Sequence, residues 1–325
     1  MRLHLLHPPK PEHRAHLMAQ LDPSVVVTEG KIPLEGVDLL VAGRPSQEQL
    51  EACGPSLQAL IVPFAGVPLG TRTTVAAHAP QLALHNLHHN AAHVAEATLA
   101  LLLAAAKGVV LMDRALRGFD WRPRYEDDNA WMLAGSTALV LGYGAIGQRV
   151  AQYTRALGMV THATRRSIHA SREVASNLTL YPANALEQLL PLARVVIICL
   201  PETAETQGLL NRERLALLPH DAVLVNIARA RIVDEVALFE ALRDRKLQAA
   251  ALDVWYAYPK DTEGRAHTAP ARQPFHTLDN VVMSPHRTGH GRGIERLRME
   301  HLAVLVNAAA RGEPMPHRVD LERGY

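Results

Sequence analysis

The sequence predicts an α/β fold with two doubly wound domains, each built on a largely parallel sheet. The chain has 325 residues, a length that exceeds what one core usually serves and suits two domains. Short apolar runs alternate with helical stretches along most of it, which is typical of a parallel sheet covered by helices on both faces. At 137–157, a strand leads directly into a glycine-rich turn that opens a helix.

The individual elements follow from the spacing of apolar residues. Apolar runs at 37–42 and 57–62 are predicted strands, because turn residues or a helical stretch bound each of them. A helical pattern runs over 91–117 and ends at Gly118, and a polar connector follows at 118–129. Beyond it we predict strands at 137–141, 160–163, 194–200, 222–227, 248–254 and 280–283, and helices at 148–157, 211–217, 234–244 and 293–311.

Composition and charge narrow the class of protein. Apolar residues make up 48% of the chain and charged residues 20%, as in soluble globular proteins. The net charge of +2 gives no reason to expect nucleic acid or an anionic membrane as a partner. Cys53 and Cys199 form no disulfide framework, and the longest apolar stretch, 97–106, is too short for a bilayer. With no signal-peptide pattern at the start, we expect a cytoplasmic protein.

A glycine-rich turn follows the strand at 137–141; it comprises Gly142, Tyr143, Gly144, Ala145, Ile146 and Gly147. In this pattern the first glycine makes the tight turn, the second lets a pyrophosphate approach the backbone, and the third lets helix and strand pack. The helix then offers free N–H groups to the phosphates. The strand–turn–helix–strand context predicts dinucleotide binding by a Rossmann domain. The alternative is a glycine-rich turn without a ligand.

The residues after the next strand bear on which dinucleotide is bound. NAD-binding domains carry an acidic residue about 20 residues after the turn, which bonds the ribose hydroxyls. This chain has Thr164, Arg165 and Arg166 there, and no carboxylate. Because a guanidinium matches the oxygens of a 2′-phosphate, the sequence favours NADP(H) over NAD(H). The alternative is that both arginines are solvated and NAD binds without the ribose contact.

Further motifs resemble those of the D-isomer-specific 2-hydroxyacid dehydrogenase family, which includes glyoxylate/hydroxypyruvate reductases and phosphoglycerate and formate dehydrogenases. The motifs stand in the family's order and spacing over essentially the whole chain. They are Val94-Ala95-Glu96, the glycine turn, Leu200-Pro201-x-Thr203-x-x-Thr206, Asn226-x-Ala228-Arg229, Leu252-Asp253-Val254, Ser284-Pro285-His286, and the ending Val319-Asp320 with Gly324-Tyr325.

The resemblance implies an architecture and an activity. It implies a flavodoxin-like substrate domain at 1–95 and 290–325, and a Rossmann domain for NAD(P) at 96–289. It further implies an oxidoreductase that moves a hydride between the nicotinamide and a small 2-oxo or 2-hydroxy acid, and that works as a homodimer. With NADPH, we expect reduction to the D-2-hydroxy acid.

The resemblance also implies roles for single residues. Arg229 holds the carboxylate and the carbonyl oxygen of the substrate by charge-assisted bonds. His286 gives a proton to the carbonyl oxygen, or takes one from the hydroxyl in reverse. Asp253 contacts the nicotinamide side of the cofactor. The other implied contacts are backbone N–H groups of Ala65, Gly66 and Val67 for the substrate carboxylate, and Leu200, Pro201, Thr206, Ile227, Ala228, Arg229, His286 and Gly289 for the cofactor.

One position departs from the family pattern. Members that reduce 2-oxo acids usually carry a glutamate just before a proline, and this chain has Tyr258 before Pro259. A neutral phenol can orient His286 but cannot stabilise its imidazolium by charge. We hypothesise that Tyr258 takes the glutamate's place as a third catalytic residue. His286 then lacks the upward push on its pKa, reduction fades at a lower pH than in glutamate-bearing members, and Tyr258→Glu moves the acidic limb of the pH–rate profile upward.

The sequence leaves two alternative functions open. Formate dehydrogenases also replace that glutamate, and Trp255 echoes them, so a formate-like hydride donor is an alternative. Some relatives are corepressors, so a nucleotide-binding regulatory protein is another. His89 and His93 have the i, i+4 spacing of helical metal ligands, but no H-E-x-x-H pattern accompanies them. We therefore expect no metal, and we expect His88 or His89 near the substrate.

Overall fold

The computed structural model describes residues 1–30, 36–126, 130–321 and 323. Asn129 of the predicted connector and the closing pair Gly324 and Tyr325 lie outside the described residues. The chain divides into two compact units, Met1–Asn90 with His290–Tyr325 and Ala91–Gly289. Which unit binds substrate and which binds cofactor stays a prediction.

Helices and strands alternate through both units. The strands are β1 (Arg2–Leu5), β2 (Val26–Glu29), β3 (Leu39–Val41), β4 (Ala59–Val62), β5 (Ala83–Asn86), β6 (Thr137–Leu141), β7 (Val160–Thr164), β8 (Arg172–Ala175), β9 (Leu178–Tyr181), β10 (Val195–Ile198), β11 (Val223–Asn226), β12 (Ala249–Leu252) and β13 (Val281–Met283). The helices are α1 (Pro11–Met18), α2 (Gln47–Ala52), α3 (Leu69–His78), α4 (Ala91–Ala106), α5 (Val109–Arg117), α6 (Ala145–Ala156), α7 (Leu186–Leu189), α8 (Arg212–Leu215), α9 (Glu235–Arg243) and α10 (Ile294–Ala310).

The first unit is a five-stranded sheet in the order β2-β1-β3-β4-β5, and every pair is parallel. One face is covered by α1 and α10, whose Leu17 and Leu302 join a buried core with β1 and β4. A second core on the other face takes Leu50 from α2 and Val75 from α3. This strand order is the flavodoxin-like doubly wound arrangement.

The second unit is an eight-stranded sheet in the order β13-β12-β11-β10-β6-β7-β9-β8. Its strands are parallel except for β8, which pairs antiparallel with β9 at one edge. Separate apolar cores cover the two faces, one with α9 and the other with α4 and α6. The predicted α/β class with doubly wound parallel sheets is therefore confirmed. The strands predicted from the sequence include neither β8 nor β9; each has four residues, and three of those in β8 are exposed.

The helix predicted over 91–117 is interrupted. α4 ends at Ala106, and Gly108 takes a left-handed conformation at φ 62° before α5 begins, which ends the first helix. Six residues of α4 are buried, whereas none of the α5 residues is. No single helix in the described residues is long and apolar enough to cross a membrane; α4 and α5 pass that test only together, as a pair bent by 64°.

Candidate active site

The glycine turn between β6 and α6 is shaped by backbone packing. Gly142 has φ 97°, and a Cβ there would lie 2.8 Å from the carbonyl oxygen of Cys199. A Cβ on Gly147 would overlap the carbonyl oxygen of Gly142. Around Gly144, by contrast, no described atom lies within 4 Å of the position a Cβ would take. The first and third glycines thus serve the fold, and the second leaves open space above the turn.

The helix that follows the turn begins without a side-chain cap. Gly144 occupies the cap position of α6, so the first N–H groups of the helix lack the acceptor that a Ser or Asp cap provides. These N–H groups and the positive end of the helix dipole face the side where a phosphate can approach. Together with the space at Gly144, the residues of this turn fit a dinucleotide pyrophosphate. Tyr143 and Ile146 pack against the core below it.

Thr164 and the two arginines stand beside this turn. The hydroxyl oxygen of Thr164 accepts a hydrogen bond from the N–H of Gly142 at 3.2 Å, so the ends of β6 and β7 meet at the turn. Arg165 and Arg166 follow at once and are exposed. Arg165 Nε donates to the Ser167 hydroxyl at 2.9 Å, and Arg166 lies 3.9 Å from the Glu205 carboxylate. Two guanidinium groups therefore lie at the edge of the sheet that carries the glycine turn.

The loop after β10 packs against the turn from the other side. The Leu200 side chain lies 3.1 Å from the position a Gly142 Cβ would take. The Thr206 hydroxyl donates to the Pro201 carbonyl at 2.6 Å and accepts from the N–H of Thr203 at 2.8 Å. Thr206 thus closes this loop on itself, and its contact with a cofactor stays a prediction.

Arg229 stands on a turn that Asn226 holds. Asn226, the last residue of β11, is 2% exposed. Its side chain donates to the Arg229 carbonyl at 3.0 Å and accepts from the N–H of Ala228 at 3.1 Å. Ile227 and Ala228 are buried between them. The Arg229 guanidinium is half-buried and donates to the Ala228 carbonyl at 2.7 Å. The buried amide therefore fixes the backbone that carries the arginine.

Asp253 holds the loop that carries His286. His286 has φ 56°, a strained conformation for a residue with a side chain. The Asp253 carboxylate is fully buried and accepts four hydrogen bonds from this loop. The hydroxyls of Ser284 and Thr288 each donate at 2.5 Å, and the N–H groups of Arg287 and Thr288 donate at 2.8 and 3.0 Å. A carboxylate with four donors can stabilise such a backbone.

Tyr258 contacts His286 directly. Its hydroxyl oxygen lies 2.9 Å from His286 Nδ1 and accepts a hydrogen bond from the N–H of Trp255 at 3.1 Å. Partial burial raises the pKa of Tyr258, although the Trp255 N–H and the Arg229 charge act in the opposite direction. The indole of Trp255 donates to the Ser284 carbonyl at 2.8 Å, so Trp255 anchors both the phenol and the histidine loop.

In the first unit, Asn86 supports the loop predicted to bind substrate. The buried Asn86 amide donates to the Ala65 carbonyl at 2.5 Å, and the Leu87 N–H donates to the Phe64 carbonyl at 3.3 Å. The N–H groups of Ala65, Gly66 and Val67 donate to no acceptor within the described ranges. The role of these three residues in substrate binding stays a prediction.

The histidines that follow β5, His88 and His89, lie beside other histidines and are partly or fully buried. The ring of His88 meets His317 edge-on at 4.8 Å, and the ring of His89 meets His301 edge-on at 6.4 Å. Burial, aided by the charge of Arg298, lowers the pKa of His89 to about 3. No group of three or more His, Cys, Asp or Glu in the described part of the chain is arranged to hold a metal ion.

Comparison with known proteins identifies the family. Residues 99–288 match a sequence model described as "D-isomer specific 2-hydroxyacid dehydrogenase, NAD binding domain". The chain belongs to this family. It is 32% identical to D-3-phosphoglycerate dehydrogenase of Methanocaldococcus jannaschii over 221 residues, which are 68% of this chain and 39% of that protein. It is 37% identical to glyoxylate reductase of Aeropyrum pernix over 237 residues, 70% of this chain and 66% of that protein. The chain thus spans less than two thirds of either relative's length.

The fold of this chain matches a solved dehydrogenase structure over its whole length. A D-isomer specific 2-hydroxyacid dehydrogenase from Xanthobacter autotrophicus Py2, solved with NADPH and MES, superposes with a TM-score of 0.82 at 26% identity. The match covers 100% of this chain and 99% of that one. The family resemblance drawn from the motifs is confirmed, and so is the α/β fold with a Rossmann NAD-binding domain.

Several positioning residues of this dehydrogenase-family site were not assigned that role from the sequence. Ser284 and Thr288 stand two residues before and two residues after His286. This symmetric pair of hydroxyl residues is the feature of the sequence that could have predicted their role. Asn86 carried no signal of its own. The Asp253 carboxylate is fully buried and accepts four hydrogen bonds from the His286 loop, so it holds that loop. Its contact with the nicotinamide stays a prediction.

Proposed function

We propose that this protein reduces small 2-oxo acids to D-2-hydroxy acids with NADPH as the hydride donor. One observation carries the proposal. The Arg229 charge acts on the same Tyr258 hydroxyl that bonds His286, so an anion-binding group and an acid–base group lie together. Both follow the carboxyl ends of parallel strands, where open α/β sheets bind their ligands.

The chain's own groups have distinct tasks in this reaction. When bound, the nicotinamide cofactor supplies a hydride to the carbonyl carbon of the oxo acid. Arg229 binds the substrate carboxylate through its fork of N–H donors, and its charge stabilises the negative charge that develops on the carbonyl oxygen. His286 delivers a proton to that oxygen. Asp253 keeps His286 in place through the buried bonds to its loop.

The stereochemistry of the product tests this reaction. The purified protein is incubated with pyruvate and NADPH, and the lactate formed is resolved by chiral chromatography. We expect D-lactate alone. L-lactate or a racemate would contradict the proposal. Nucleotide binding without turnover of any 2-oxo acid would favour the regulatory alternative instead. The formate-like alternative gains nothing from Trp255, which is 7% exposed and packs on Phe275.

Preference for NADPH is supported by the pair of exposed guanidinium groups next to the glycine turn. No carboxylate stands at 164–167 to bond an adenosine ribose or repel a 2′-phosphate. The similar Xanthobacter protein was solved with NADPH. Two arginines can bond the 2′-phosphate by charge-assisted hydrogen bonds, each worth about 1.5–3 kcal/mol.

Titration of both nucleotides into an arginine double variant tests the preference. In Arg165→Ala/Arg166→Ala we expect NADPH to bind about 100-fold more weakly or worse, and NADH to bind as before. Arg172→Ala, which removes an exposed arginine of the edge strand β8, serves as the matched control. Equal losses for both nucleotides in the double variant would contradict the assignment.

We also propose that the protein is a homodimer through α5 and the segment that follows it. None of the α5 residues is buried, and large apolar side chains stay exposed along the segment. A set of this kind marks a protein interface. The exposed residues are Val109, Leu116, Phe119, Trp121, Tyr125 and Met132.

Sedimentation velocity tests the dimer. We expect the wild-type protein to sediment as a dimer and Trp121→Ser/Tyr125→Ser as a monomer. Leu69→Ser, which changes an exposed leucine of the first unit, should remain a dimer. A monomeric wild type, or a double variant that stays dimeric, would contradict the assignment of this surface.

A further inference from the structure

The hydroxyl of Tyr258 lies between a fixed donor and a histidine nitrogen. The N–H of Trp255 is 3.1 Å from the phenolic oxygen, and His286 Nδ1 is 2.9 Å from it. A backbone N–H can only donate, whereas a phenol can donate once and accept. The Trp255 N–H therefore donates to a lone pair of the phenolic oxygen. The proton of the phenol is then left to point at Nδ1.

The opposite arrangement is less well satisfied. If Nδ1 carried a proton and donated to Tyr258, the phenolic oxygen would accept two hydrogen bonds and its own proton would need another acceptor. In the part of the chain that the structure describes, no other protein group accepts from the Tyr258 hydroxyl, so in this arrangement its proton would turn to solvent at a side chain that is 46% exposed. Burial raises the pKa of Tyr258, so the phenol keeps its proton at neutral pH.

Both partners of this bond are held by one rigid framework. Trp255 is 7% exposed, and its indole donates to the carbonyl of Ser284 at 2.8 Å. The buried Asp253 carboxylate holds Ser284 and Thr288 on either side of the histidine. Buried residues after β12 therefore anchor the bond partners of the exposed Tyr258, namely the Trp255 N–H and the histidine loop.

We propose that Tyr258 is a positioning residue that donates its phenolic proton to Nδ1 of His286, so that the resting imidazole is neutral and carries its proton on Nε2. The inference rests on the proposed function, in which His286 meets a carbonyl oxygen. A carboxylate at position 258 can only accept a hydrogen bond from Nδ1. It therefore keeps a proton on Nδ1, in place of Nε2, and favours the imidazolium. The exchange of a glutamate for Tyr258 thus reverses the direction of this hydrogen bond.

The reversed bond separates substrate binding from proton transfer. A neutral ring with a proton on Nε2 can donate a hydrogen bond to a carbonyl oxygen without carrying charge. Delivery of a proton still requires the imidazolium, since the neutral ring would otherwise become an imidazolate. To form the imidazolium, Nδ1 must take up a proton. The Tyr258 hydroxyl proton already points at Nδ1, so the hydroxyl must first rotate its proton towards solvent. The charged groups that act on this phenol are Arg229, which favours its ionisation, and Asp253 and Glu202, which oppose it.

Nitrogen NMR of the resting protein decides the inference. Protein labelled with ¹⁵N-histidine is measured at neutral pH without cofactor or substrate, and the His286 signals are assigned by their loss in His286→Gln. We expect Nδ1 at the position of an unprotonated ring nitrogen and Nε2 at that of a protonated one. In Tyr258→Glu we expect Nδ1 to be protonated. Tyr153→Phe, which removes a hydroxyl from a half-buried tyrosine of α6, should match the wild type.

A protonated Nδ1 in the wild type would overturn the inference, whatever the protein's activity. A second readout uses oxamate, an unreactive analogue of a small 2-oxo acid, bound in the presence of NADPH. As pH rises through neutrality, we expect wild-type affinity for oxamate to persist while kcat falls. In Tyr258→Glu the affinity should weaken by about tenfold per pH unit above the pKa of the histidine. Wild-type affinity that falls in step with kcat would count against the inference. Failure of oxamate to bind at any pH would count against the proposed function, and the NMR result would still decide the tautomer.

Discussion

The hydroxyl oxygen of Tyr258 lies 2.9 Å from Nδ1 of His286, at the chain position where the family resemblance leads us to expect a glutamate. A carboxylate there would favour the charged imidazolium and raise the pKa of His286. We therefore expect Tyr258→Glu to move the limb of the pH–rate profile that reports His286 to higher pH. The profile of kcat against pH, measured for wild type and variant, checks this. An unmoved profile means that Tyr258 does not act on His286.

Arg229 should be required for its geometry as well as for its charge. Lysine keeps the charge but loses the planar fork that matches a carboxylate. We expect Arg229→Lys to lower kcat/KM by about 100-fold, the equivalent of one or two charge-assisted hydrogen bonds. The exposed neighbour Arg231 supplies the control, since Arg231→Lys should leave kcat/KM near the wild-type value. Wild-type kinetics in Arg229→Lys would remove this residue from the site.

Asp253→Asn should damage both stability and turnover. An amide keeps one accepting oxygen and turns two N–H donors toward the N–H and hydroxyl donors of the His286 loop. We expect a loss of about 2–4 kcal/mol in the free energy of unfolding, as for other disrupted buried charges. Urea unfolding measures it, and kcat should fall with it. Asp244→Asn, at an exposed pair with Arg243, should change neither. An Asp253→Asn protein of normal stability would contradict the positioning role.

Two glycines of the nucleotide turn should respond differently to alanine. A Cβ on Gly147 overlaps the Gly142 carbonyl, whereas a Cβ on Gly144 meets no described atom within 4 Å. Gly147→Ala should therefore destabilise the fold. Gly144→Ala should fold normally and lose affinity for NADPH, because its methyl group takes the space at the turn. Thermal unfolding and nucleotide titration distinguish the two effects. Normal NADPH binding by Gly144→Ala would show that the pyrophosphate lies elsewhere.

The first unit should lose stability in mild acid. Burial is the main cause that lowers the pKa of five histidines there: His85, His88, His89, His301 and His317. Their folded-state pKa lies below the unfolded value of 6.5, so the unfolded chain binds more protons once pH falls below about 6.5. Stability is therefore complete above that pH and falls below it, towards the folded value of about 3 for His89. Each such histidine steepens the fall by up to about 1.4 kcal/mol per pH unit.

Urea midpoints measured from neutral pH down to the range where carboxylates titrate check this slope. We expect a falling midpoint in the wild type and a shallower fall in His88→Gln. His169→Gln, at an exposed histidine of the second unit, should follow the wild type. A flat wild-type midpoint over this range would contradict the lowered pKa values of these five histidines.

Features with a local signal could be predicted from the sequence. The strand at 137–141 coincides with β6, and the open space at Gly144 is what the second glycine of the turn predicts. The break at Gly108 could not be foreseen, because a single glycine inside a helical pattern is often tolerated. The partners of Asp253 lie more than thirty residues away, and the Trp255 N–H that orients Tyr258 is a backbone group. Such contacts are made by the tertiary fold and leave no pattern in the sequence.

Hydride transfer from NADPH to a 2-oxo acid is the reaction in which Arg229 and His286 are proposed to act. The most direct measurement follows the oxidation of NADPH and of NADH, by loss of nicotinamide absorbance, with glyoxylate, hydroxypyruvate, pyruvate and longer 2-oxo acids. We predict turnover with at least one of these acids and a kcat/KM for NADPH well above that for NADH. Turnover with NADH at equal or higher kcat/KM would contradict the role of Arg165 and Arg166, and no turnover with either nucleotide would contradict the proposed reaction itself.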